Sequence, residues 1–351
     1  PSPLTPLVSA GEPGSASMDF LRLGVGVRQM GMGGTGIALG DDVHAAYFNP
    51  AGLSQLGRQE LALSHAEWLD QIRYQTLYWA YPRFQYGTFA AQFQYLSYGT
   101  IPGYDNSGKK TADVQASDVL GGISWGGKIH PDLSVGAAFQ YLRENLETSS
   151  GQTWAGDVGL LYRPVDVASP WLSHLSWGLV ARHIGPGPRF ISERERLPTS
   201  VGAGAAFKAM GEALTLSLDL EKPVDSALSI LGGSEYWIKD VFALRAGFRA
   251  PSDLGSGLSL GLGVKVGQVQ LDYALASMGD FGYTHRVGLI FRFGGVVEQI
   301  YHSGIHFMRV GRYAEAVLEF DKVLSLNPEH RQALLRLKEC QVQMERQGEK
   351  K

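Results

Sequence analysis

The sequence predicts an all-β transmembrane barrel of about 14 antiparallel strands, followed by a small α-helical extension. Three observations carry this. Between Gly257 and Phe293, three apolar/polar alternations follow one another with only turn-sized gaps. Leu258, Leu260, Leu262, Val264 and Val266 recur at every second residue, as do Val269, Leu271, Tyr273 and Leu275, and then Tyr283, His285, Val287, Leu289, Phe291 and Phe293. Period two gives a strand one apolar and one polar face. Each run is about nine to eleven residues long, which a tilted strand needs to cross a bilayer. The third observation is the order of the gaps.

The same alternation read along the whole chain places strands at 59–67, 72–81, 86–98, 117–129, 133–146, 151–163, 173–184, 199–209, 212–221, 228–238, 240–250, 256–266, 268–276 and 283–293. Long gaps, Gly99–Ala116 and Gly185–Pro198, follow odd-numbered strands. Tight ones, at His130–Asp132, Met210–Gly211, Lys239–Asp240 and Gly267, follow even-numbered strands. Membrane barrels have short turns at the periplasmic mouth and longer loops at the other, so parity fits closure. Pro164–Leu172 is the one longish connection on the short side. An even strand number puts both termini at the periplasmic mouth, and this is the expected topology.

Composition agrees. No run among the 351 residues approaches the roughly 20 apolar residues of a spanning helix. Glycine is abundant, at 45 residues, as closely packed strands allow. A net charge of −3 excludes the basic footprint of a nucleic-acid binder. Cys340 stands alone, so no internal disulfide forms. The chain opens Pro1-Ser2-Pro3 without an apolar export core and reads as a mature protein whose signal peptide has been removed.

Residues 1–58 form an N-terminal segment. Pro1 to Ser17 is Pro/Ser/Gly-rich and extended, and then Arg28 precedes Gly31-Met32-Gly33-Gly34, Asp41-Asp42 and Tyr47-Phe48-Asn49-Pro50-Ala51-Gly52-Leu53. Gly31, Gly33 and Gly36 match G-x-G-x-x-G in form. A dinucleotide site needs that motif inside a strand–helix–strand unit. Here it runs into the turn signal Asn49-Pro50, so the glycines are read as permitting close backbone approach in a confined space.

This set of residues resembles the amino-terminal hatch of the PorV/PorQ family, outer-membrane barrels related to the FadL transporters. Further matches follow in order: Leu133–Ala137 with Tyr141-Leu142; Asp157–Tyr162; Leu197-Pro198; Gly233-x-Glu235-Tyr236-Trp237; Leu244–Phe248; Asp272-Tyr273-Ala274; and Thr284-His285-Arg286. The resemblance covers about residues 20–294 and implies a 14-stranded barrel, at 59–294, with the hatch inside it. It assigns Arg28, Gly31, Gly33, Gly34, Asp41, Asp42, Asn49, Pro50 and Ala51 to that hatch.

Strand parity sends Asp219, Glu221, Arg245, Arg249, Asp272, Arg286 and Arg292 into the lumen. Opposite charges in a filled lumen are expected to form a network that holds the plug, because buried charges must be paired. After Gly295 the apolar period changes to about 3.6. Gly304, Phe307, Tyr313, Ala316, Phe320 and Pro328 then follow tetratricopeptide spacing, and 296–351 is expected to be a periplasmic helical tail. Asn327 is expected to cap a further helix that opens at Pro328.

No catalytic set, cofactor motif or metal-ligand spacing stands out. His302 and His306 are four residues apart on one helix with no matching carboxylates, and a solvated helix face accounts for them. The chain is read as a non-enzymatic barrel in contact with outer-membrane lipid. By its resemblance it serves a secretion or surface-assembly machine, type IX secretion in the PorV case. Protein partners would dock on the tail and on outer-loop residues Ile101, Pro102, Tyr104 and Phe190. The alternatives are a FadL-like transporter of a hydrophobic ligand, expected to carry an apolar pocket near the outer mouth, and a structural envelope anchor.

Overall fold

A computed structural model describes residues 16–68, 71–83, 86–147, 149–164, 171–190, 193–252, 255–277, 279–326 and 330–348. The chain divides into a barrel unit and a C-terminal helical unit.

The strands are β1 (Arg58–Glu67), β2 (Arg73–Arg83), β3 (Gly87–Ile101), β4 (Val114–His130), β5 (Leu133–Leu146), β6 (Ser149–Tyr162) and β7 (Leu175–Ile184), then a hairpin of β8 (Arg189–Phe190) and β9 (Glu193–Arg194). They continue as β10 (Ser200–Ala209), β11 (Leu214–Pro223), β12 (Ser229–Ile238), β13 (Phe242–Ala250), β14 (Leu258–Val266), β15 (Val269–Ser277) and β16 (Tyr283–Gly295). All but the hairpin join one closed barrel in which β1 meets β16 and β7 meets β10, giving 14 wall strands. Every expected strand is present. The main difference is height: β3 to β6 run 14 to 17 residues, so the first long loop shrinks to 102–113 and Ile101 ends β3.

The wall is inside-out relative to a soluble protein. Leu216, Leu218 and Leu220 of β11 and Leu258, Leu260 and Leu262 of β14 are exposed on the outside, with Trp79, Trp154 and Trp177 elsewhere on the wall. Thr215, Ser217 and Asp219, the alternate residues of β11, are buried. An exterior apolar band around a polar interior is stable only when the solvent outside is hydrocarbon, so the barrel spans a membrane. Among the described residues, no helix is long and apolar enough to cross one.

The lumen is filled by residues 16–56. They contain two short helices, α1 (Val27–Gly31) and α2 (Ala45–Phe48), and 3₁₀ turns at Asp19–Arg22 and Pro50–Gln55. Asn49 caps the second turn by accepting from the Ala51 amide at 3.1 Å, and Pro50 occupies its first position. The described N-terminus departs from the expected topology. The Ser17 amide donates to the Arg196 carbonyl (2.9 Å) in the long connection after β7. Residue 16 therefore sits at the long-loop mouth, whereas β16 finishes at the short-turn mouth. The plug is threaded downwards from the loops, which strand counting alone could not reveal.

The C-terminal unit holds α3 (Val296–Arg309), α4 (Tyr313–Leu326) and α5 (Arg331–Gly348). Ile300, Tyr301, Ala316, Phe320, Val323, Ala333 and Cys340 form its core, with Phe307 and Tyr313 partly buried against them. Gly304 leaves space for the Phe320 ring, which a Cβ there would meet at 2.7 Å. Asn327 and Pro328 lie outside the described residues.

Glycines set how closely plug and wall approach. A Cβ on Gly247 would stand 2.0 Å from the Gly33 amide nitrogen, and one on Gly31 2.9 Å from the Gly261 Cα. Gly247→Val should therefore force the plug off the wall, an overpacking cost of about 1–3 kcal/mol. It should lower the temperature at which the detergent-solubilised barrel loses its compact, fast-migrating form on a gel. Gly121→Val, where a side chain meets open space, should leave that temperature unchanged.

Candidate functional site: a plugged lumen with an apolar cavity

Two zones stack along the lumen. The lower one, at the short-turn mouth, is a continuous ionic belt. Arg28 of α1 grips Glu235 of β12 with two hydrogen bonds (Nε to Oε2, 2.8 Å; Nη2 to Oε1, 2.7 Å), and its Nη1 donates to Asp41 (2.6 Å) and Asp42 (3.0 Å). Glu235 also accepts from Arg245 Nε (2.6 Å), and Arg245 reaches Asp272 (2.7 Å). Gln270 carries the chain on, donating to Asp272 (2.8 Å) and accepting from Arg292 (2.8 Å). Arg292 bonds Glu60 (2.8 Å), which accepts the Val43 amide (2.9 Å) and so returns to the plug. Lys208 of β10 joins at Asp41 (3.0 Å).

These groups are nearly all dry. Burial would lower the Arg28 pKa, but Asp41, Glu235 and Asp42 outweigh it and hold the guanidinium well above its ordinary range. Burial would raise Asp41 and Asp42. For Asp41, Arg28 and Lys208 win; for Asp42, His44 and Arg28 win; both carboxyls stay well below the usual range.

The upper zone, at the long-loop mouth, is a cavity of about 350 Å³ between plug and wall. Leu21, Leu23, Met30 and Phe48 of the plug face Leu231 of β12 and Trp68, which follows β1, across it. Charged groups rim it and tie down the plug. Arg22 bonds Asp225 (2.6 Å to Oδ2) and Ser226 (2.9 Å) in the β11–β12 loop, and Arg286 donates to the Leu23 and Gly24 carbonyls (3.1 and 3.2 Å) while lying over the Trp68 ring. Arg182 pairs with Glu221, whose other oxygen lies 3.6 Å from Arg249. Asp219 accepts the Gly36 and Ile37 amides (2.7 and 3.0 Å). The volume lies within the usual range for small-molecule pockets.

The lumen charges expected from parity therefore separate into two groups. Arg245, Asp272 and Arg292 belong to the belt, and Asp219, Glu221, Arg249 and Arg286 to the cavity. Among the hatch residues, Asn49 donates to the Ile37 and Leu160 carbonyls (both 2.9 Å), and Pro50 and Ala51 lie against Gly126 and Gly136. Gly34 lines the cavity. In the loops, Ile101 and Tyr104 are exposed, while Phe190 lies on Gly151 of β6. Sequence reasoning missed Glu235, Glu60, Gln270 and Lys208, and all of the cavity's apolar lining. Parity was the available signal for Glu60, Glu235 and Gln270: each stands at an inward position of its strand.

Solved structures with this fold include the toluene transporter TbuX of Ralstonia pickettii (15% identity, TM-score 0.54, covering 77% of this chain and 99% of that one). The toluene transporter TodX of Pseudomonas putida is also similar (14%, 0.53, 77% and 98%), as is a FadL homologue of Pseudomonas aeruginosa (11%, 0.51, 76% and 97%). At such identities the likeness is one of fold. No curated protein matches the chain in sequence. Residues 10–193, which hold the plug and the first seven wall strands, match the profile of the uncharacterised protein family UPF0164, and the chain belongs to that family.

Proposed function

We propose that this protein is a non-enzymatic barrel of the bacterial outer membrane that takes up hydrophobic small molecules. The observation that carries the reading is the cavity at the long-loop mouth, lined by Leu21, Leu23, Met30, Phe48, Trp68 and Leu231. It supplies the outer-mouth apolar pocket that separates a transporter from a docking platform. The fold neighbours described as toluene transporters support the same reading. A ligand enters from the loop side, rests against the plug, and leaves when the plug shifts. The secretion-machine role implied by the PorV resemblance receives no such support from the neighbours. The tail keeps a tetratricopeptide-like character in this reading, on the fit of Gly304 to Phe320.

Filling the cavity tests the proposal. Leu231→Trp in nanodisc-embedded protein should weaken binding of an apolar fluorescent probe, such as N-phenylnaphthylamine, by tenfold or more without lowering thermal stability. Equal probe binding by both proteins would remove the cavity from the reading.

The belt should govern the plug. Arg28→Ala leaves Asp41, Asp42 and Glu235 buried without their main cation, at a cost of about 3–5 kcal/mol. Cells carrying it should become more permeable to small antibiotics. Arg28→Lys should fall between, because an ammonium cannot make the bidentate contact.

The pH dependence follows from Asp41 and Asp42. Their folded-state pKa values are depressed, so their stabilisation is complete above the ordinary aspartate value of about 4 and fades as pH falls through the lower folded values. The plug should stay docked from neutral pH to about pH 4 and loosen only in stronger acid. Protease susceptibility of the plug against pH would read this out.

A further inference from the structure

The C-terminal unit leaves one face of α5 uncovered. Ala333, Leu337 and Cys340 point into the core, while Gln332, Leu335, Lys338, Glu339 and Val342 are solvent-exposed. Leu335 is 65% exposed and Val342 46%, and the two lie two helical turns apart on one stripe. A hollow runs along this stripe, bounded by Tyr301 of α3.

The order of residues on the stripe is its informative feature. About a point between positions 338 and 339, Leu335 and Val342 are placed symmetrically, and Lys338 and Glu339 carry opposite charges. A second α5 laid antiparallel over the first would set each Leu335 against the other's Val342 and each Lys338 against the other's Glu339. That is the condition for an isologous two-fold interface, in which residue i meets j and j meets i. Opposite charges flanking an apolar pair are also how helix pairs select partner and orientation. Glu339 already bonds Arg336 of its own helix (2.7 Å), which holds its carboxylate at the stripe.

We propose that this α5 face pairs with α5 of a second copy of the chain. Two apolar residues per copy make a small interface, and confinement of both copies to one membrane supplies the effective concentration that it needs. The pairing goes beyond the uptake reading and does not rest on it.

The test uses full-length protein in native membranes, with Cys340→Ala as the background. Co-expressed Leu335→Cys and Val342→Cys chains should give a dimer with a short bis-maleimide cross-linker, because each 335 lies beside the other copy's 342. Leu318→Cys, exposed on α4 away from the stripe, should stay monomeric. Adding Lys338→Glu should reduce the dimer at least fivefold, and Lys338→Glu/Glu339→Lys together should restore it. No dimer, a cross-link to a different protein, or a dimer indifferent to Lys338→Glu would each overturn the proposal. Protease resistance of the helical unit, equal in all variants, excludes its misfolding as the cause.

Discussion

In a barrel lumen filled with chain rather than water, a buried charge is costly unless other groups meet it. The rest of this molecule depends on how Arg28 meets that constraint. One guanidinium, 7% exposed, bridges two plug aspartates to a wall glutamate and thereby links plug and wall into one electrostatic unit. Its planar fork suits the task, since it satisfies Glu235 bidentately and keeps Nη1 for the aspartates. From Glu235 the pairing passes through Arg245, Asp272, Gln270 and Arg292 to Glu60 and back to the plug at Val43. Breaking such a belt costs more than any single pair contributes, because each remaining partner stays buried.

The belt is possible only because backbone approaches backbone. Gly33 sits on Gly247, Gly31 on Gly261, and Pro50 against Gly126 and Gly136. These glycines draw the plug close enough for Arg28 to reach Glu235 of the wall and for Asp41 to meet Lys208. Gly31 and Gly33 of the G-x-G-x-x-G pattern have this physical meaning, with wall glycines as their complement, while Gly36 makes room for the Phe48 ring of the plug itself.

Belt and cavity divide the lumen by solvent. At the short-turn mouth charged groups of plug and wall pair with one another. At the long-loop mouth the plug retreats, apolar side chains face each other across a gap, and arginines at the rim hold the plug by its carbonyls and by loop carboxylates. The apolar chamber thus lies above an ionic floor.

The period-two alternation of Leu258–Val266 and its neighbours was enough to determine the strands, their inward and outward faces, and the strand count. Those depend on local geometry and on the hydrocarbon outside. Parity also assigned Asp219, Arg245 and Asp272 to the lumen. The partners of these charges were decided only by tertiary structure, since Arg28 and Glu235 are 207 residues apart and no local pattern encodes their meeting. The cavity was likewise beyond the sequence, because Leu21, Phe48, Trp68 and Leu231 become a surface only once the plug is threaded from the loop mouth. That threading is also why the described N-terminus and the end of β16 occupy opposite mouths. An even strand number constrains the ends of the barrel, but it says nothing about a segment that crosses the lumen before the first strand begins.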